Sequence, residues 1–497
     1  MRTRTTAPDW ADSRELGSAA TRGVVASALT TWGRFSIQLV TMILVARMIG
    51  PSEFGAAATA LVAVTAAELV RSGGITWLVS RAPALSAGAA STLHRLSIAV
   101  GALVALALLV AGALTPAAVL PAGVWTFPLL AVVFLAAGVG AVPTALLARN
   151  LRFRPIGTAE VAAAVVSCTV AISAAAAGLG GGAPLLQAAS YAVVLCGIVV
   201  ARTPWRPGVA APLRTLRAEL AFAGNATVSQ GLEWLVRSFD RLVVAALFGT
   251  AAAGVYVQAS QLVVLPVEQV NGPLRRVAVP ALARLVEDPA RYRTAFRAVL
   301  LLACSVLWPA LAVLAVLAEP AVVSLFGTAW AESVPLFRAM VPLGMATVVT
   351  SVTTFVALSH GLAGRQTLWD CFVSRPLTVV AFFVGSAWGV TGVAVGASVV
   401  TVLLTVPGFL VIAARAGLAV RDLLSALVEP AVVAAVCTAV ALLLTTATDL
   451  PQLGTLTVAG GSAIVVWAVL LLALPRTRTL VARARRRGVT LAGPAAG

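Results

Sequence analysis

The stretches "ARMIGPSEFG", residues 46–55, and "AALFGTAAAG", residues 245–254, lie 199 residues apart, and reading one against the other decides the fold. The shift sets Gly50 on Gly249 and Gly55 on Gly254, and the apolar runs that follow stay in step. It also sets Arg34 opposite Glu233 and Gln38 opposite Arg237, so polar positions ahead of the glycines correspond as well. A second echo joins "GLGGGAPLLQAAS", residues 178–190, to "SAWGVTGVAVGAS", residues 386–398. Two related halves follow. With an even number of apolar segments in each, the halves enter a membrane in the same orientation, related by an axis along the membrane normal. In transporters built this way the substrate site lies at the interface between repeats.

Of 497 residues, 60% are hydrophobic and 11% charged, and the mean hydropathy is +0.99. These values exclude an ordinary soluble globular chain. At about 20 residues per crossing, the sequence predicts an all-α integral membrane protein with about 14 transmembrane helices. An N-lobe of helices 1–6 is expected over residues 23–210, a C-lobe of helices 7–12 over 211–420, and two accessory C-terminal helices, 13 and 14, over 421–475. A polar tail, 1–22, and a basic tail, 476–497, flank them. The apolar run after residue 22 is too long for a signal-peptide core, so the first segment is expected to stay in the mature protein. Cys168, Cys196, Cys304, Cys371 and Cys437 show no CxxC spacing and read as small apolar residues, not as disulfides or metal ligands.

A net charge of +17 would suit nucleic acid, but every basic residue is Arg, and most sit in short clusters between apolar runs. That is the pattern of cytoplasmic loops. All but six of the 35 arginines fall in the tails or in loops after even-numbered segments, while "TPAAVLPAG", "GLGGGAP" and "TDLPQLG" on the opposite side hold none. Both termini are therefore predicted to be cytoplasmic.

The six exceptions, Arg34, Arg47, Arg237, Arg241, Arg338 and Arg375, lie inside predicted spans. An Arg at the bilayer centre costs on the order of 2.5 to 3.5 kcal/mol on insertion scales, so such residues normally face a bundle interior or a wet cavity. Arg47, Arg241 and Arg338 lie near outer ends, where snorkelling is the alternative. Arg34, Arg237 and Arg375 lie deeper and read as cavity-lining. In segment 7, Gln230, Glu233, Arg237, Asp240 and Arg241 share one helical face. Their spacing lets Glu233 meet Arg237, and Arg237 meet Asp240. The candidate substrate-binding set is thus Arg34, Gln38, Gln230, Glu233, Arg237, Asp240, Arg241 and Arg375. Arg47, Glu268, Arg338 and Asp370 are gating or secondary candidates. A self-neutralised strip that only joins two helices is the alternative reading of segment 7.

"ARMIGPSEFG" after segment 1, "LLARNLRFRPIGTAEV" between segments 4 and 5, "SFDRLVVAALFGTAAAGVY" at segment 7 and "LPVEQVNGPLRRVAVPALARLVEDPARYRTAF" after segment 8 carry a resemblance. Together they resemble the oligosaccharide flippase or polysaccharide transporter family of the MOP superfamily, in particular its lipopolysaccharide and exopolysaccharide exporter branch. The resemblance implies two six-helix lobes around a central cavity and alternating access. It also implies transfer of an undecaprenyl-pyrophosphate-linked oligosaccharide from the inner to the outer leaflet of a bacterial plasma membrane. Arginine's fork of donors suits pyrophosphate oxygens, which accords with a cationic cavity.

A lipid-linked oligosaccharide and the membrane are the expected partners, with a polysaccharide polymerase and glycosyltransferases acting beside the chain and no nucleic acid. No cofactor or metal is expected, and the driving force stays open among a proton gradient, a sodium gradient and the membrane potential. Two alternatives stand. A multidrug or cation antiporter of the same superfamily would use carboxylates such as Glu68, Glu160, Glu233, Asp240, Glu268 or Asp370. A membrane polymerase or ligase would need a catalytic external loop, yet the longest external stretch, Glu319 to Ser333, is short, His94 and His360 are isolated, and no DxD, GxSxG or P-loop motif occurs. An enzyme is therefore not expected.

Overall fold

In hydrocarbon every backbone N–H and C=O must find its partner within the chain, so apolar spans rich in Ala, Val and Leu become helices. The computed structural model describes residues 13–72, 74–81, 85–115, 123, 125–150, 152–448 and 450–473. The predicted basic tail and the first twelve residues of the polar tail lie outside these, as do the side chains of Gln230, Glu233 and Arg237. The described residues form helices and no strand. In order they are α1 (Ser13–Ser72), α2 (Gly74–Arg81), α3 (Ala87–Leu114), α4 (Thr126–Arg149), α5 (Phe153–Ala176), α6 (Gly182–Arg202), α7 (Arg217–Ala283) and α8 (Pro289–Val316). Then come α9 (Ala318–Phe326), α10 (Ser333–Ser359), α11 (Ala363–Trp369), α12 (Arg375–Ser386), α13 (Gly389–Ala416), α14 (Val420–Ala447) and α15 (Gln452–Ala473).

Among the described residues, 12 helices are long and apolar enough to cross a membrane, against about 14 expected. The difference has a physical cause. Two of the twelve, Trp32–Glu68 and Ser238–Ala283, are 37 and 46 residues long, well beyond the ~20 that one crossing needs. Each consists of two helices joined across a kink, at Gly50 (φ 75°, ψ 173°) in α1 and at Gly249 (φ 83°, ψ 177°) in α7. That backbone conformation falls to glycine because a Cβ would be strained there. Pro51, next in line in α1, has no N–H to continue the ladder. The two kinks are the pair of glycines that the 199-residue shift aligns.

Three other elements add local structure that the hydropathy pattern does not carry. Helix α1 starts at Ser13, inside the predicted polar tail, because Glu15, Leu16, Ala19 and Ala20 are good helix formers and no proline follows Pro8 before the span. The stretch Glu319 to Ser333, expected as an external loop, folds into α9 and a 3-10 turn at Thr328–Trp330, with Gly327 (φ 98°) turning the chain between them. The predicted eleventh segment is interrupted by a π-helical turn, Asp370–Ser374, between α11 and α12.

The chain divides into two units, one of residues up to Val45 with Ala60–Leu232, the other of Ala46–Thr59 with Glu233 onward. In the first, α3 packs on α4, α4 on α6 and α5 on α6. The α3–α4 crossing is close because both sides are glycine: a Cβ on Gly138 would lie 2.6 Å from the Ser97 carbonyl, and one on Gly101 2.7 Å from that of Phe134. In the second unit, α8 packs on α14, α10 on α13, and α12 on α13. The Trp467 indole on α15 donates to the Ser305 carbonyl on α8 at 2.8 Å, so the last two helices are anchored to this unit.

Asp422 strengthens that anchor. Its side chain is buried, accepts from the Ala419 amide at 2.8 Å as an N-terminal cap, and pairs with Arg297 of α8. Asp422→Asn keeps a carbonyl oxygen for the cap but loses the ionic partner, and is expected to cost about 2 kcal/mol, the range of a hydrogen bond to a charged group. Asp288→Ala removes a more exposed cap that accepts from the Arg291 amide and should cost about 1 kcal/mol. Unfolding midpoints of the two purified variants in one detergent check the order.

Candidate substrate site

The polar residues of the predicted stripe sit immediately before the second kink, and the structure connects the described ones across it. Asp240 Oδ1 accepts from the Arg241 amide at 2.8 Å, and Oδ2 accepts from the Tyr256 hydroxyl at 3.3 Å. Asp240 precedes Gly249 and Tyr256 follows it, so this bond ties the two halves of α7 together. The Tyr256 side chain is buried and the Asp240 and Arg241 side chains are half-buried. Among the described residues, Arg241 Nε is buried with no hydrogen-bond partner. A guanidinium N–H inside a span with no acceptor is costly and leaves a donor free for an incoming anion. The predicted contacts of Glu233 with Arg237 and of Arg237 with Asp240 fall on side chains outside the described residues.

Arg34 belongs to the other unit. It is half-buried and pairs with Glu160 of α5, Nη1 to Oε2 at 3.3 Å, with the two side chains 34% and 30% exposed. The pair is thus open to a competing anion. Gln38, one turn on, has an exposed side chain. Arg375, half-buried at the start of α12, follows the π-helical turn directly, and its side chain makes no hydrogen bond or ion pair to another described residue. Turns of this kind often mark functional positions within helices.

The secondary candidates separate by location. Arg47 is exposed and its Nη1 donates to the Ser324 carbonyl of α9 at 3.0 Å. Arg338, also exposed, donates from Nε to the Ala315 carbonyl at 3.0 Å. Both capture carbonyls near helix ends. Glu268 is exposed, while Asp370 is half-buried and accepts from Gln366 Nε2 at 3.3 Å. Arg34, Arg47 and Arg338 are therefore engaged with protein groups, and Arg241 keeps a free donor.

Sequence reasoning missed two partners. Glu160, one of the carboxylates suited by sequence to a cationic cargo, holds Arg34. Tyr256, outside the predicted set, donates to Asp240. Its signal was available, since a buried tyrosine hydroxyl needs a partner and an Asp stands on the other side of the aligned glycine.

Kinked helices bearing arginines inside apolar spans define a polytopic membrane protein. The lipid II flippase MurJ, in an inward closed conformation, superposes with a TM-score of 0.69 at 13% identity, covering 92% of this chain and 100% of that one. An inward-facing multidrug resistance MATE family transporter of the MOP superfamily does so with a TM-score of 0.56 at 14% identity, covering 77% of this chain and 94% of that one. The sequence pattern of polysaccharide biosynthesis proteins matches residues 44–335, and the chain belongs to that family. The lipopolysaccharide biosynthesis protein WzxC of Escherichia coli (strain K12) is 25% identical over 397 residues, 78% of this chain and 79% of that protein. The succinoglycan biosynthesis transport protein ExoT of Rhizobium meliloti (strain 1021) is 25% identical over 373 residues, 74% of this chain and 75% of that protein. The chain is a multi-pass membrane protein.

Proposed function

We propose that the protein flips a lipid-pyrophosphate-linked oligosaccharide, an undecaprenyl-pyrophosphate repeat unit, from the inner to the outer leaflet of a bacterial plasma membrane for cell-surface polysaccharide export. It works by alternating access, with fourteen crossings once each kinked span is counted as two, and with both termini cytoplasmic. Intramembrane arginines receive the pyrophosphate. The observation that carries this reading is the buried Arg241 Nε without a partner, in a span that the family pattern covers. Arg34 supports it, because its single carboxylate partner can exchange for phosphate oxygens, which also form charge-assisted forked bonds. Arg237, Arg375 and the amide side chains of Gln38 and Gln230 complete the proposed binding set, with Glu233 and Asp240 as internal competitors for the guanidinium groups.

The test uses vesicles holding the purified protein and a fluorescent lipid-pyrophosphate-linked oligosaccharide, with a membrane-impermeant quencher reporting which leaflet holds the label. The protein should speed leaflet exchange of this lipid and leave a neutral glycolipid of the same chain length unmoved. Arg241→Gln should slow exchange by about tenfold, corresponding to loss of one charge-assisted hydrogen bond. Equal movement of the neutral glycolipid, with Arg241→Gln indistinguishable from the unmodified protein, would remove pyrophosphate recognition from the account.

A further inference from the structure

The hairpin between α8 and α10 grips the first kink from both sides. Trp330, at the end of the 3-10 turn, is fully buried. Its indole N–H donates to the Ala46 carbonyl at 3.1 Å, on the near side of Gly50. Its ring meets Phe54, on the far side, edge to face with centroids 5.4 Å apart. The bond from Arg47 to the Ser324 carbonyl adds a second tie between the hairpin and the near half of α1. Within the hairpin, Ser333 Oγ donates to the Trp330 carbonyl at 2.7 Å, which fixes the turn that carries the indole.

An external tie at this place has a physical reason. Pro51 gives no N–H to the Arg47 carbonyl, and Gly50 leaves helical geometry, so the hydrogen-bond ladder that would hold the halves of α1 in line is broken there. Breaks of this kind act as hinges unless neighbours over-determine them. Gly55, one residue beyond Phe54, lies directly against Thr250 and Gly254, and Gly254 lies against Pro51. The contact is reciprocal under the 199-residue shift, with Pro51 matching Thr250 and Gly55 matching Gly254. Turning the far half of α1 about Gly50 would therefore open this glycine contact.

We propose that α9 and its 3-10 turn form a splint across the α1 break, with Trp330 as a positioning residue that sets the bend at Gly50 and keeps Gly55 seated on Thr250. The indole supplies the only group in the hairpin that reaches both sides of the break among the described contacts. Releasing it frees the hinge without touching the arginines proposed to bind cargo deep in the spans.

The experiment reads hinge opening without substrate. In the full chain lacking Cys168, Cys196, Cys371 and Cys437, a reporter thiol is placed by Ala57→Cys, a site buried two residues past Gly55. The native Cys304 of α8, equally buried, serves as the internal control. Trp330→Phe, which keeps an aromatic ring but removes the donor, should raise maleimide labelling at position 57 by about tenfold, and Arg47→Gln by about threefold, as local opening becomes more frequent. Labelling of Cys304 should not change. No rise at position 57 in either variant overturns the splint, and so does an equal rise at both thiols, which would report general loosening. Because no lipid-linked substrate enters the assay, its failure leaves the proposed transport intact, and failure of the transport test leaves the splint standing.

Discussion

Gly55→Leu is expected to destabilise the protein by about 4 kcal/mol or more and to abolish transport, because the space a side chain would enter is filled by backbone. Even a methyl group at Gly55 would overlap the Thr250 carbonyl and come within 2.6 Å of the Gly254 amide nitrogen. Side-chain neighbours can change rotamer to admit an intruder, whereas two helix backbones can only separate, so the cost lies at or beyond the upper end of the usual overpacking range of about 1–3 kcal/mol. Gly55→Ala should already cost about 2–3 kcal/mol, although alanine gains about 1 kcal/mol of helix propensity. Gly272→Ala supplies the opposite sign within the same unit. It sits in α7 with nothing near its missing Cβ, so the propensity gain is unopposed and the unfolding midpoint should stay level or rise. Midpoints of the three variants in detergent, with leaflet exchange measured in vesicles, test this directly. A Gly55→Leu protein as stable and active as the unmodified chain would show that the glycine contact is dispensable.

That contact shows how far the sequence reaches. The 199-residue shift finds both Gly50 and Gly249, because only glycine takes their backbone conformation freely and the requirement is written at a single position. Membrane crossing was equally legible, since mean hydropathy needs no tertiary information. The number of separate helices was less so. A window of apolar residues marks where the chain lies in hydrocarbon but not how successive segments join, and the paired segments around each kink run on without a loop as spans of 37 and 46 residues, each broken at one glycine. The α9 hairpin escaped notice because nine helical residues are too few to stand out from an apolar loop, and because its partner, Ala46, lies far away in the chain.

The candidate site divides along the same line. Arg34 and Arg241 stand out in one dimension because an arginine in an apolar run is rare whatever surrounds it. Their partners do not. Helical spacing pairs residues three and four apart on one helix, but Asp240 reaches across a kink to Tyr256 and Arg34 reaches across to α5. The stripe of segment 7 ends at Arg241, ahead of the break at Gly249, and the bond that Tyr256 donates to Asp240 comes from beyond that break.

Exchanging the charges of Arg34 and Glu160 should separate structure from cargo binding. Their pair, 3.3 Å apart and about one-third exposed on each side, holds α1 to α5, and partly exposed pairs of this sort contribute about 1 kcal/mol or less. Arg34→Glu alone faces two carboxylates toward each other and should lose both stability and transport. Adding Glu160→Arg restores opposite charges, so the unfolding midpoint should return close to that of the unmodified protein. Transport should not return. The guanidinium then projects from α5 instead of α1, and a forked bond to phosphate depends on placement to a fraction of an ångström. Loss of two charge-assisted bonds at about 1.5 kcal/mol each corresponds to roughly a hundredfold slower leaflet exchange. Arg34→Lys should fall between, because it keeps the charge and loses the fork. If the exchanged pair restores transport together with stability, Arg34 serves as a strut between two helices, and the pyrophosphate must be received by the arginines of the other unit alone.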